Sequence, residues 1–176
     1  SLAMLFTMSK CESVTKMCKC RKDLATEKIC VISPYDEVMK SVSRESGIDW
    51  RLLSAIARTE SNFCAEAVSK RGAMGLMQLK EETAFWCMEK YNILSDGDIM
   101  DPEINIRTGC AYMRYLLDKF GKKEIALAAY NAGEGNVTSW LEDQNDKTQL
   151  KTIPFEETRK YVELVLKREK IYNYLY

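Results

Sequence analysis

A mainly α-helical fold in a single globular domain is what this sequence predicts, and three observations carry the prediction. Apolar residues recur at three- and four-residue spacing through most of the chain beyond residue 33, the period of a helix with one buried face. Start and stop signals bracket these segments, with Asp, Ser-Pro or Asp-Pro before them and Gly after several of them. No long stretch alternates apolar and polar residues as a half-buried strand would. At 176 residues, 46% apolar and 30% charged, the chain can bury one core without metals or disulfide staples.

The elements follow in order. Ser33-Pro34-Tyr35-Asp36 opens a first helix, with Ser33 as cap, Pro34 suited to the first position and Asp36 completing a capping-box pattern. It runs to about Ser46 and stops at Gly47. Asp49 caps a second, whose apolar stripe is Leu52, Leu53, Ile56 and Ala57, continued by Glu60 at Ile56 plus four. Residues 62–80 carry Gly72 and Gly75 between short apolar runs and predict a loop with a small β-structure. A third helix covers about 81–91. Asp101-Pro102 opens a fourth, reaching Phe120, with Ile104, Thr108, Ala111, Tyr112 and Tyr115 on one face and Gly121 as its stop. Lys122 to Asn131 and Asn136 to Leu141 form two short helices. After a polar loop with Pro154, a last helix spans about 156–171, with Tyr161, Leu164, Val165 and Arg168 at helical spacing.

Residues 1–32 lack clean periodicity and read as a Cys-rich extension of unassigned role, leaving 33–176 as the folded unit. Its opening Ser1–Phe6 stretch is followed, not preceded, by Lys10, Lys16, Lys19, Arg21 and Lys22, the reverse of an intact secretory signal. No apolar run approaches the ~20 residues that span a bilayer. Lys plus Arg and Asp plus Glu both number 26, so no global field favours nucleic acid as a partner. There is no histidine. That removes His-based triads and dyads and most catalytic zinc sites, leaving carboxylates, Tyr, Lys and Cys for proton chemistry. Four of the seven cysteines (Cys11, Cys18, Cys20, Cys30) crowd the extension, and Cys64, Cys87 and Cys110 are spread beyond it. The spacings fit no standard metal site, so metal ligation is not expected; buried or free thiols, with one or two disulfides in an exported chain, are.

Glu60 draws attention on physical grounds. A carboxylate on a core-facing stripe is costly to ionise, and the partial negative charge of a helix C-terminus adds to the cost. Both effects raise its pKa, as a general acid near neutral pH requires. The plain alternative is a Glu paired with Arg58 or Arg71, or one turned to water.

Motifs further along the chain favour the acid. Glu60-Ser61 is followed by Gly75-Leu76-Met77-Gln78, then Ala129-Tyr130-Asn131, then Ile153-Pro154-Phe155-Glu156-Glu157-Thr158-Arg159-Lys160-Tyr161. In this order the blocks resemble the signatures of the lytic transglycosylases with a goose-type-lysozyme-like fold, across roughly residues 33–170. Gly75 would let the backbone approach a sugar, Met77 would offer a soft apolar face, and Gln78 would supply donors and an acceptor. Tyr130 and Asn131 pair an aromatic platform with an amide. The resemblance implies that Tyr161 orients the catalytic Glu60, and that Ser61 and Ser69 belong to the substrate-binding set. The ordinary alternatives are core packing for Met77 and Tyr130, a surface polar residue for Gln78 and a helix-stripe position for Tyr161.

The resemblance also implies a lysozyme-like α+β fold with a small β or loop region between helices. It implies cleavage of the bond between N-acetylmuramic acid and N-acetylglucosamine in peptidoglycan, with no cofactor or metal, in the cell envelope. The rivals are a lysozyme-type hydrolase, in which Glu66 or Glu134 would activate water, and a non-catalytic wall-binding or secretion-machine accessory, with 1–32 docking a partner. The chain departs from the family at Ala132-Gly133-Glu134-Gly135, where Ala-Gly-Pro-Gly is common, at Lys80-Glu81-Glu82, where Met-Pro is common, and at Cys64. Losing the proline is expected to loosen a turn and add a charge near the cleft.

Overall fold

A computed structural model describes residues 33–93, 98–144 and 150–176, and among them seven α-helices. These are α1 (Asp36–Ser46), α2 (Trp50–Glu60), α3 (Glu81–Lys90), α4 (Pro102–Phe120), α5 (Lys123–Ala132), α6 (Glu134–Asp143) and α7 (Glu156–Leu175). The Cys-rich extension lies outside the described residues.

Most boundaries have a local cause. The Asp49 carboxylate accepts the Arg51 N–H at 2.9 Å, and Asp101 accepts those of Glu103 and Ile104 at 3.0 Å, each relieving unpaired donors in a first turn. Gly47 and Gly121 end α1 and α4 in the left-handed conformation. The first helix begins later than the sequence suggests. The Ser33 N–H and hydroxyl both donate to Asp36 Oδ1 at 2.9 Å, while the Ser33 Oγ accepts the Tyr35 N–H. The box closes as a turn, and helical backbone starts only at Asp36. At the other end α7 continues past 171, because Glu169 and Tyr172 are buried there. Between 61 and 80 the chain is mostly turns, with two isolated antiparallel bridges, Val68 to Met74 and Met74 to Leu79.

Two predicted faces are corrected. On α4 the core side is Asn105, Ile106, Thr108, Gly109, Cys110, Met113 and Leu116, whereas Tyr112 and Tyr115 are only half-buried. The aromatic pair drew the predicted stripe about one position aside, since it forms a flank of its own. On α7 Tyr161 and Val165 are buried, but Leu164 is exposed.

Helix α2 runs along α7 and meets α1, while α5 packs against α4, α6 and α7, and α3 rests on α4. Leu52 through Ala57 are buried without a break, so α2 is covered on nearly every side, as a central helix is. Leu53, Ile56, Leu76, Met77, Ile106, Met113, Leu116 and Leu127 are fully buried around it. Each contributes about 1.5–3 kcal/mol of transfer free energy. The core thereby fixes the end of α2, where Glu60 sits.

Candidate active site

Glu60 is the last residue of α2 and is 7% exposed. Burial pushes its pKa up to about 8; the nearby Tyr161 hydroxyl favours the ionised form and pulls down, and the negative charge of Glu157 pushes up again. Arg58 is committed elsewhere, donating to the Tyr172 hydroxyl at 3.0 Å. Among the described residues no cation pairs with Glu60. A carboxyl group kept this way is protonated at neutral pH.

The chain turns sharply just after the acid. Asn62 and Phe63 both adopt positive φ, 53° and 63°, which costs about 1–2 kcal/mol per non-glycine residue. The buried Ser61 hydroxyl lies 2.8 Å from the Leu76 carbonyl and 3.1 Å from that of Ala57. It joins the end of α2 to the Gly75–Gln78 turn. Ser61 is therefore part of the frame beneath the acid.

The Gly75–Gln78 turn is held from α4 by a residue absent from the sequence-based candidates. Asn105 is fully buried; its Oδ1 accepts the Met77 N–H at 2.7 Å, and its Nδ2 donates to the carbonyls of Met74 and Ile99. A Cβ on Gly75, at φ 76°, would fall 2.3 Å from Asn105 Nδ2. A close approach that demands glycine here is the one to Asn105. Met77 departs from its expected role. It is fully buried, and a Cβ on Gly109 would come within 2.8 Å of its side chain. Its side chain is core packing and presents no face to a ring. Gln78, at φ 47°, spends its amide N–H groups on the carbonyls of Ala67 and Gly75, at 3.0 and 2.9 Å. What it leaves for a ligand is its carbonyl oxygen. An Asn and a Gly on the apolar face of α4, four residues apart, were the readable signal for this hub.

Two tyrosines flank the acid. Tyr130, near the end of α5, donates its hydroxyl to the Met77 carbonyl at 3.0 Å and tilts its ring against Tyr112. Tyr161, on α7, is buried, and its hydroxyl has no hydrogen-bond partner in direct contact geometry among the described residues. Burial, and then the charge of Glu60, raise the pKa of both phenols well above the ordinary value. Asn131 accepts the Thr158 hydroxyl at 2.8 Å, which ties the end of α5 to the first turn of α7. Ser69 closes a turn in the 62–80 loop, its Oγ accepting the Ala73 N–H. Glu157, in the first turn of α7, was missed by sequence reasoning as a neighbour of Glu60; only the packing of α7 along α2 brings it near.

The sequence departures are absorbed. Glu134 takes the first position of α6, where proline is equally at home. Its carboxylate accepts from Lys119 Nζ at 2.8 Å and the Tyr115 hydroxyl at 2.9 Å, so its pKa is lowered despite partial burial. Cys87 and Cys110 are buried free thiols; burial pushes Cys87 up to about 12 and raises Cys110. Cys64 donates to Glu66.

The fold and site together define a helical domain built around one buried, protonated glutamate set between two tyrosines. The family model of the transglycosylase SLT domain matches residues 37–153. The soluble lytic murein transglycosylase of Escherichia coli is 36% identical over 148 residues, covering 80% of this chain and 23% of that protein. Membrane-bound lytic murein transglycosylase F of Cellvibrio japonicus is 33% identical over 145 residues, covering 77% and 27%. Among solved structures, the 70-kDa soluble lytic transglycosylase of Escherichia coli superposes with a TM-score of 0.72 at 36% identity, covering 80% of this chain and 24% of that one. An inactive mutant of the lytic transglycosylase Slt from Pseudomonas aeruginosa gives 0.70 at 35% identity, covering 79% and 24%. This chain belongs to the transglycosylase SLT domain family, and its fold is lysozyme-like. It spans about a quarter of the length of the curated relatives it matches. No helix among the described residues is long and apolar enough to cross a membrane.

Proposed function

We propose that residues 33–176 form a catalytic unit that cleaves peptidoglycan glycan strands between N-acetylmuramic acid and N-acetylglucosamine, working in the cell envelope. The observation that carries this reading is Glu60, buried, without a cation partner among the described residues and with its pKa pushed up to about 8. Protonated Glu60 gives its proton to the glycosidic oxygen as the bond to the muramyl carbon breaks. The substrate's own 2-acetamido group stabilises the oxocarbenium-like centre, a known exception to the two-carboxylate rule. Glu60, now ionised, takes the proton of the muramyl C6 hydroxyl as that oxygen closes a 1,6-anhydro ring. No water is consumed, and the tethered hydroxyl gains effective molarity over a free nucleophile. Tyr161, whose hydroxyl is the neighbour that favours the ionised form of Glu60, is the proposed orienting residue, and Tyr130 spends its own hydroxyl on the Met77 carbonyl. Ser69, Asn131 and the Gln78 carbonyl remain as the polar groups proposed to meet substrate.

A hydrolase on this fold would need a second carboxylate to hold water. Glu134 is bound to Lys119 and Tyr115, and Glu66 is exposed beside Cys64. Mass spectrometry of muropeptides released from purified sacculi tests the assignment. Anhydromuramyl ends, lighter by one water than hydrolytic products, are expected. Mainly reducing ends would establish the lysozyme, and absence of cleavage would leave a binding module.

A further inference from the structure

Four aromatic rings lead outward from the acid. Tyr130 lies within the field of Glu60 and meets Tyr112 at 5.3 Å between centroids. Tyr112 stacks on Tyr115 at 6.4 Å and 19°, and Tyr115 takes Trp86 edge-on at 4.8 Å. Burial decreases along this row, from half-buried tyrosines on α4 and α5 to the exposed Trp86 on α3. Phe85 and Tyr91 are also exposed beside it, so a helix of only ten residues and its end present three large apolar side chains. Exposed aromatic side chains gathered on one short helix are where a binding face is to be sought.

The charges around the row are uneven. Lys119 is paired with Glu134, and Arg114 with Asp118. Lys90 has no carboxylate partner among the described residues. Its ammonium group stands 4.7 Å from the Trp86 ring and 4.6 Å from that of Tyr115, a cation–π arrangement that fixes the charge without neutralising it. An exposed indole thus lies beside a held cation that makes no salt bridge among the described residues, with Glu134 further off in its field.

We infer that Trp86, Tyr115 and Lys90 form a distal subsite at the outer end of this row of rings, taking a sugar ring on the indole and a stem-peptide carboxylate at Lys90. The inference rests on the cell-wall reading above and deepens it. Continuity with Glu60 through Tyr112 and Tyr130, together with the charge of Lys90, favours an acidic glycopeptide strand over a protein partner.

The test uses the full chain carrying Glu60→Gln, so that binding is read without cleavage. Titration calorimetry would compare a disaccharide fragment, long peptide-free glycan strands and long peptide-bearing strands. Trp86→Ala should weaken both long ligands about tenfold and leave the disaccharide unaffected, and Trp86→Phe should recover most of the loss. Lys90→Met should weaken the peptide-bearing strand several-fold and the peptide-free strand little. Equal affinities for all ligands in all variants would overturn the subsite. If the Glu60→Gln protein bound no strand of any length, the cell-wall reading itself would fail, a separate result.

Discussion

The paired helices α2 and α7 bury two glutamates, one toward each end of their contact, and the two have been treated in opposite ways. Glu169, 6% exposed, accepts from Lys123 Nζ at 2.6 Å, and its field reaches Arg51 at the start of α2. Glu60, 7% exposed, has no cation partner among the described residues and lies near two phenols. Equal burial therefore says little about role; the neighbours decide it. A buried carboxylate with a cation can remain charged and serve as a structural tie. One without a cation is held neutral, at a cost to stability whenever the unfolded chain would ionise. The difference separates a stabilising site from a reactive one.

The largest effect should come from removing the acid. Glu60→Gln cannot donate or accept the proton, so lysis of purified sacculi should fall at least about a hundredfold. Stability should move the other way. The folded pKa of Glu60 is raised, so its ionisation costs folding energy that builds as pH rises from about 4.5 toward about 8. At pH 8 the Gln variant should be more stable by about 4 kcal/mol, with a flatter stability profile across that window. At the other end of the interface, Lys123→Ala should cost about 2–3 kcal/mol by stranding Glu169, with lysis retained at temperatures where it folds. Chemical denaturation at several pH values checks both signs. A Gln variant that still lysed sacculi near the parental rate would sink the assignment.

How much of this was legible beforehand differs between the two ends. Glu60 could be read because a carboxylate continued the stripe of Ile56 and an ordered set of motifs followed it. The helices around it could be read because Asp49, Asp101, Gly47 and Gly121 act through bonds within a few residues. Asn105 left only a weak signal, a polar residue four before Gly109 on α4, and Glu157 left none, since each acts across a tertiary contact. Asn105 reaches back 28 residues to Met77, and Glu157 nears Glu60 only through the packing of α7 along α2. Met77 shows the complementary case. Its motif was legible as a block, but of the two readings its side chain allowed, a face for a sugar or core packing, the contact with Gly109 on α4 and full burial favour the core.

Tyr161→Phe should have an intermediate effect and sharpens the account of what neutralises Glu60. The hydroxyl favours the ionised carboxylate, so its loss should raise the Glu60 pKa and move the alkaline limb of kcat/KM upward. Turnover should fall about tenfold as the carboxyl loses its orienting neighbour. A limb that moved downward would contradict the assigned contact. A stability change without any kinetic change would reduce Tyr161 to core packing.

The smallest expected effect belongs to Glu157, and it has a definite sign. Its negative charge is one of two causes that raise the Glu60 pKa, burial being the larger. Glu157 is exposed, so solvent screens its field, and Glu157→Gln should lower the alkaline limb by only a fraction of a unit. High salt should shrink the difference between parent and variant, because screening acts on the charge and leaves burial unchanged. The same variant bears on the rival chemistry. In a transglycosylase, Glu157 tunes the acid and its loss leaves anhydromuramyl products in place. Were Glu157 instead the base that activates water, its replacement would abolish turnover, and the parent's products would carry reducing ends. A modest, salt-sensitive shift with unchanged products keeps Glu60 as the single acid and base at its end of the α2–α7 pair.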